Sequence, residues 1–164
     1  MSELELSIDS AGVQRAFNLS PAAASAELTK VVRRGIGVIA RDARRLAPKA
    51  FSTLTNSIIA TLVDPLAGEV APGVDYARMV EEGTGPGGQP PLQSLVDWIR
   101  VKGIDPVNPE MDARDLAFVM ARSIAARGTP AQPYLVPSLD RNSAEIARQA
   151  DLAVDRVLAR MGAA

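Results

Sequence analysis

Gly83-Thr84-Gly85-Pro86-Gly87-Gly88 has the G-x-G-x-x-G spacing with which a backbone turn can approach a pyrophosphate. That turn works only between an entering strand and a helix N-terminus that faces the phosphates. Here Pro86 lies inside the run and Gln89-Pro90-Pro91 follows at once, so nucleotide binding is not expected. No Gly-Lys-Ser/Thr follows, which excludes a phosphate-binding P-loop. Just upstream, Glu81 and Glu82 are adjacent carboxylates with Asp75 near them. Neighbours in sequence point in different directions on a regular element, and paired acid catalysis needs a second carboxylate across a cleft. The oxygen spacing is too sparse for a calcium loop. A capping or intersubunit role suits these acids better. The remaining charged feature is a run of cations, Lys30, Arg33, Arg34, Arg41, Arg44 and Arg45, which could meet phosphates in a salt-dependent way. No aromatic residue interleaves them, so stacking on bases is not expected. A solvated helix face, or one turned to an acidic neighbour, is the favoured reading.

The chain holds neither histidine nor cysteine. The commonest general base, the commonest metal ligand and all thiol chemistry are thereby missing. Hydroxyls are plentiful, but Lys30, Lys49 and Lys102 sit in no serine–lysine motif. No catalytic residue, cofactor or metal ligand is assigned, and the protein is not expected to be an enzyme. With 164 residues, 47% hydrophobic and 23% charged, the chain is expected to form one globular domain spanning residues 1–164. Aromatics are only 4%, so the core must rest on Ala, Val, Leu and Ile, with Trp98, Tyr76, Tyr134 and three phenylalanines as core or interface anchors. No apolar run approaches the roughly 18 residues of a membrane span, and the acidic start MSELELSIDS has no signal-peptide core. The net charge of −1 conceals an uneven distribution: −3 over residues 1–29, +6 over 30–49 and −4 over the rest.

These features need elements to hold them. Leu4, Leu6 and Ile8 alternate with polar residues, which predicts a strand, and Asp9 or Ser10 can cap a short helix to about Phe17. Ser20-Pro21 predicts the start of a long helix that Pro48 stops near Ala47. Its apolar face is Leu28, Val31, Val32, Ile36, Val38, Ile39, Ala43 and Leu46, with the cations opposite. Gly35 lies on the apolar face, where it would allow a close neighbour, and Gly37 lies towards the basic one. Ser57–Val63 predicts a strand, Asp64–Gly68 a turn and Glu69–Ala71 a returning strand. Tyr76–Pro91 leads into a shaped Gly/Pro loop. Helices are expected over Leu92–Val101, packed through Leu92, Leu95, Val96 and Ile99 beside Trp98, and over Asp112–Arg127, packed through Leu116, Val119, Met120 and Ile124. Tyr134–Leu139 is expected to be extended, broken by Pro133 and Pro137. A last helix over Ser138–Met161 has the seam Leu139, Ile146, Ala150, Val154, Val157 and Met161. The fold class is α+β: a small antiparallel or mixed sheet packed by the long N-terminal helix, two central helices (an insertion over about 92–127) and a C-terminal helix.

Three stretches, in this order and spacing, resemble the neck or head–tail joining proteins of tailed bacteriophages, a family also described as tail components. The first is Ala47-Pro48 through Leu54 to Ser57-Ile58, where Phe51-Ser52 stands at the family's usual Thr-Gly. The second is Tyr76-Ala77, Val80-Glu81 and Gly83-Thr84-Gly85-Pro86. The third is Ala121-Arg122-Ser123-Ile124, Arg127-Gly128-Thr129 and Ala131-Gln132-Pro133-Tyr134-Leu135, with Pro137 and Leu139. Together they span roughly residues 20–140. The resemblance implies a structural virion protein, assembled in the host cytoplasm, that forms a homo-oligomeric ring at the head–tail interface through which DNA passes. Its partners would be copies of itself, other connector, head-closure and tail proteins, and packaged DNA in non-specific contact; no membrane is implied. A tail terminator capping the tail tube is the neighbouring reading. A nucleic-acid-binding accessory protein using the basic helix over 30–49 is the reading from charge alone. Expected assembly contacts are Tyr76, Glu81, Glu82, Gly83, Thr84, Gly85, Pro86, Gln132, Pro133 and Tyr134. Expected DNA-channel or acidic-partner contacts are Lys30, Arg33, Arg34, Arg41, Arg44 and Arg45.

Overall fold

The computed structural model describes residues 11–49 and 52–161. The strand expected through Leu4, Leu6 and Ile8, its neighbours Asp9 and Ser10, and Phe51 lie outside the described residues. The architecture is α+β: helices α1 (Ala11–Leu19), α2 (Pro21–Leu46) and α3 (Thr53–Ser57), strands β1 (Ile58–Asp64) and β2 (Ala67–Pro72), then helices α4 (Ala77–Glu82), α5 (Leu92–Lys102), α6 (Ala113–Arg127) and α7 (Leu135–Arg160). By packing, the chain divides into two compact units, residues 1–46, 58–72 and 134–164, and residues 47–57 and 73–133.

The first unit is built on α2. Its apolar stripe packs against α1 and α7 in a cluster of Ala16, Ala24, Leu28, Ala150, Ala153, Val154, Val157 and Leu158. Half of these are alanines, so the helices approach closely. Three cross-helix contacts show that α2 and α7 run antiparallel. Asn142 Nδ2 donates to Asp42 Oδ2 at 2.9 Å, Arg160 pairs with Glu27 at 3.2 Å, and Gly35 lies between these levels against Ile146. A Cβ at Gly35 would sit 3.1 Å from Ile146 Cδ1, whereas Gly37 has nothing within 4 Å. The seam of α7 holds at Ala150, Val154 and Val157, with Leu139 and Ile146 half-buried, but Met161 is exposed. It sits at the C-cap, beyond the last packed turn.

One expectation in this unit is overturned. Tyr134–Leu139 is not extended, because α7 begins at Leu135 and runs through Pro137. Pro137 is the third residue of the helix, where the N–H has no intrahelical acceptor, so proline removes no bond there. Ser138 Oγ donates to the Tyr134 carbonyl and secures the first turn.

The sheet is an antiparallel hairpin with Pro65-Leu66 at its tip, and Asp64 Oδ1 accepts the Leu66 N–H. The turn is narrower than expected and β2 correspondingly longer. The register pairs Ile58 with Pro72 and Thr61 with Glu69, and shifts between Leu62 and Asp64. Gly73 N donates to Ser57 O, so the alternation of an antiparallel ladder places Ile58 and Pro72 at a non-hydrogen-bonded pair. The missing N–H of Pro72 therefore costs the ladder nothing. One face of the hairpin lies on α2, where Gly68 meets Ile36; the other leaves Ile59, Val63 and Leu66 exposed.

The second unit rests on α5 and α6. Val96, Ile99 and Ala117 are buried, with Leu92, Leu95, Trp98, Ala113, Leu116 and Met120 packed around them. The expected inward residue Val119 is exposed instead. Ala117 and Ala121 take the buried positions, and the stripe is rotated so that Phe118 and Val119 face outward. Asp112 is the N-cap rather than the first helical residue. Its side chain accepts the N–H groups of Arg114 and Asp115, and Asp115 Oδ2 accepts the Asp112 N–H in return. The backbone hydrogen bond from Asp115, first, and that from Arg114 hold the Asp112 carboxyl below its ordinary pKa of 3.8. α3 was not legible in the sequence. Ser52, just before it, takes φ +59°, and its carbonyl accepts the Asn56 N–H at 2.8 Å.

Candidate functional site

The Gly/Pro segment is a crossing of two backbones. α4 carries Glu81 and Glu82, with Tyr76 at its N-cap and Arg78 Nε paired with Glu82 Oε2 at 2.8 Å. Gly83 ends the helix at φ +75°. Thr84 then lies beside Thr129: each N–H donates to the other's carbonyl, at 3.0 and 3.1 Å. The two hydroxyls are 2.9 Å apart, and the Thr129 N–H also reaches Thr84 Oγ1 at 3.0 Å. The Gly87 N–H donates to the Ala125 carbonyl, and the Gln132 N–H to the Val80 carbonyl.

Glycine is required at two points of this crossing. Gly128 has φ +76°, and a Cβ there would fall 1.8 Å from the Thr84 carbonyl oxygen. A Cβ on Gly83 would come within 2.7 Å of both the Thr129 oxygen and the Ala131 nitrogen. Backbone cannot yield as a flexible side chain can, so both positions exclude larger residues. The glycines thus serve a close approach of chain to chain. The run is entered from helix α4, not from the strand that a dinucleotide turn needs.

The structure treats the ten expected assembly residues unequally. Tyr76, Glu82, Gly85, Pro86, Gln132 and Pro133 are exposed, while Glu81, Gly83 and Thr84 are half-buried. Tyr134 is fully buried, so its side chain is not a surface contact: an aromatic ring with a large apolar area is held in the interior. Thr84 spends its hydroxyl inside its own fold. Thr129, Gly128 and the Val80 carbonyl were not singled out as site residues. The stretches that hold them are apparent in the sequence, but their pairing across 45 residues is not.

The second candidate is the outer face of α2, where Lys30, Arg33, Arg34, Arg41, Arg44 and Arg45 are all exposed as expected. Lys30 pairs with Glu27 at 2.9 Å, and Arg45 lies 3.7 Å from Asp42. Arg44 donates to the Ile58 carbonyl. The Lys30 hydrogen bond, helped by the charges of Lys30 and Arg160 and by the Arg160 hydrogen bond, lowers the Glu27 pKa below its ordinary 4.5. Among the described residues, Arg33, Arg34 and Arg41 have no ion-pair partner. On α7, by contrast, Glu145 binds Arg148 through two bonds and also accepts from Gln149; Arg148, then Gln149, bring its pKa to about 2.

Among the described residues, no helix is long and apolar enough to cross a membrane. Comparison with protein-family models, curated protein sequences and solved structures finds no match.

Proposed function

We propose that the protein is a non-catalytic assembly subunit of a tailed phage, forming a homo-oligomeric ring at the head–tail junction. The observation that carries this reading is the Thr84–Thr129 crossing. It joins the second and third stretches of the resemblance, which are far apart in sequence, into one hydrogen-bonded junction. Ser52 adds support: it stands at the family's glycine position and adopts φ +59°, the left-handed region glycine occupies without strain. The residue types fit as well, since the chain lacks histidine and cysteine and presents exposed apolar and basic surfaces. A closed ring uses two different, complementary patches on each subunit. The exposed outer part of the crossing, Gly85–Gln89 with Gln132 and Pro133, is the proposed contact with the next subunit.

The test is the mass of the purified chain by light scattering from micromolar to millimolar concentration, with addition to particles stalled before tail joining. A discrete oligomer, or restoration of joining by the wild-type chain but not by a Pro86/Gln132 double alanine variant, is the expected result. A strict monomer that leaves stalled particles unjoined would overturn the proposal.

A further inference from the structure

We infer that the outer face of α2 is a duplex-DNA-binding surface that grips phosphates without reading sequence. The argument begins with angular position. At about 100° per residue, Arg33, Arg44, Lys30, Arg41, Arg34 and Arg45 occupy an arc of about 120° on the helix. Between residues 30 and 45 that arc holds nothing else except Gly37. The six cations are exposed, and three of them, Arg33, Arg34 and Arg41, have no carboxylate partner among the described residues. Lys30 and Arg45 are exposed in their pairs with Glu27 and Asp42, and Arg44 gives one hydrogen bond to the Ile58 carbonyl; each keeps further N–H donors for a phosphate.

The spacing also suits a duplex. The cations fall into two groups, Lys30/Arg33/Arg34 and Arg41/Arg44/Arg45, on either side of Gly37. Their centres are about 11 residues, or roughly 16 Å, apart along the axis. That is sufficient to reach both rims of a major groove about 12 Å wide. Nothing lies within 4 Å of a Cβ built on Gly37, so the helix is open between the groups and a phosphate backbone can approach it closely. Thr29, Lys30, Arg33 and Arg34 line a shallow open hollow at the first group.

What the arc lacks selects the partner. Protein interfaces depend on buried apolar and aromatic anchors, and this arc contains none. Single strands are held by stacking on aromatic rings, also absent here. Five guanidinium groups and one ammonium on a single helix face fit the dense phosphates of a duplex, where each arginine can bind two oxygens. The inference does not depend on the ring. A strict monomer that binds DNA but leaves stalled particles unjoined would leave it standing and sink the ring proposal, and a ring that ignores DNA would do the reverse.

The experiment is fluorescence anisotropy of a random-sequence duplex titrated with the full chain, between about 50 and 200 mM salt, where phosphate contacts dominate the affinity. Six contacts predict roughly a 10³-fold loss of affinity across that range, and the R33Q/R34Q/R41Q variant, with three left, only about a 40-fold loss. R100Q/R114Q/R122Q removes three exposed cations from the second unit and is expected to bind as wild type. Absence of binding at the lowest salt would overturn the inference. Equal weakening by the two triple variants would also overturn it, because affinity would then follow overall charge and not this face. If R33Q/R34Q/R41Q instead abolishes self-association while duplex binding is absent, the face belongs to an acidic surface of a second copy.

Discussion

The crossing at Thr84 and Thr129 and the outer face of α2 both present polar groups at sequence positions that suggest a contact surface, yet the fold uses them in opposite ways. At the crossing, the two N–H groups, two carbonyls and both hydroxyls bond to one another, and two glycines are fixed by backbone lying against backbone. On α2, three arginines have no internal carboxylate among the described residues, and Gly37 faces open space. The difference separates polar groups that stabilise a fold from polar groups available to a partner. A loop rich in glycine looks adaptable in sequence, but here its inner half is a fixed joint, and the run Gly85–Gln89 beyond it is exposed.

The most disruptive test of this contrast is Gly128→Ala. Its Cβ would collide with the Thr84 carbonyl at a backbone angle that alanine disfavours, and a loss of about 3 kcal/mol or more is expected. Chemical denaturation measures it, and amide exchange at Thr84 and Thr129 should accelerate. A variant as stable as wild type would mean that the crossing is not a fixed joint. Thr84→Val removes the hydroxyl bonds and leaves the backbone pair, so it should cost about 1 kcal/mol. Arg33→Gln, Arg34→Gln or Arg41→Gln should each stay within about 0.5 kcal/mol of wild type, the range for exposed positions without internal partners. Equal costs in the two regions would abolish the distinction drawn between them.

Two further backbone positions sharpen it. Gly37→Ala meets no atom and gains helix propensity, so stability should rise by about 0.5–1 kcal/mol, in contrast to Gly128. Ser52→Gly relieves a left-handed residue and loses some of that gain to the extra freedom of glycine in the unfolded chain. A net increase of about 0.5 kcal/mol in the unfolding free energy is expected.

The helices α2, α5 and α6 and the hairpin were legible because each carries a local signal. Ser20-Pro21 starts α2, the apolar, β-branched run to Val63 marks β1, and apolar residues at helical spacing ended by Gly128 mark α6. The start of α7 is not legible in the sequence, because proline breaks a helix interior, whereas Pro137 stands in the first turn and breaks nothing. An apolar side chain such as Val119 is expected inward, whereas close packing buries the small Ala117 and Ala121 instead.

Sequence alone determined the absence of imidazole and thiol chemistry, the two-faced character of α2 and the need for special backbone at Gly83 and Gly128. Each follows from residue type or from the helix period, which act within a few residues. Tertiary structure alone decided that Thr84 faces Thr129, that Tyr134 is interior, and that Asp42 meets Asn142 and Glu27 meets Arg160 across the α2–α7 seam. Those outcomes depend on which distant segments meet, and no local pattern records that meeting.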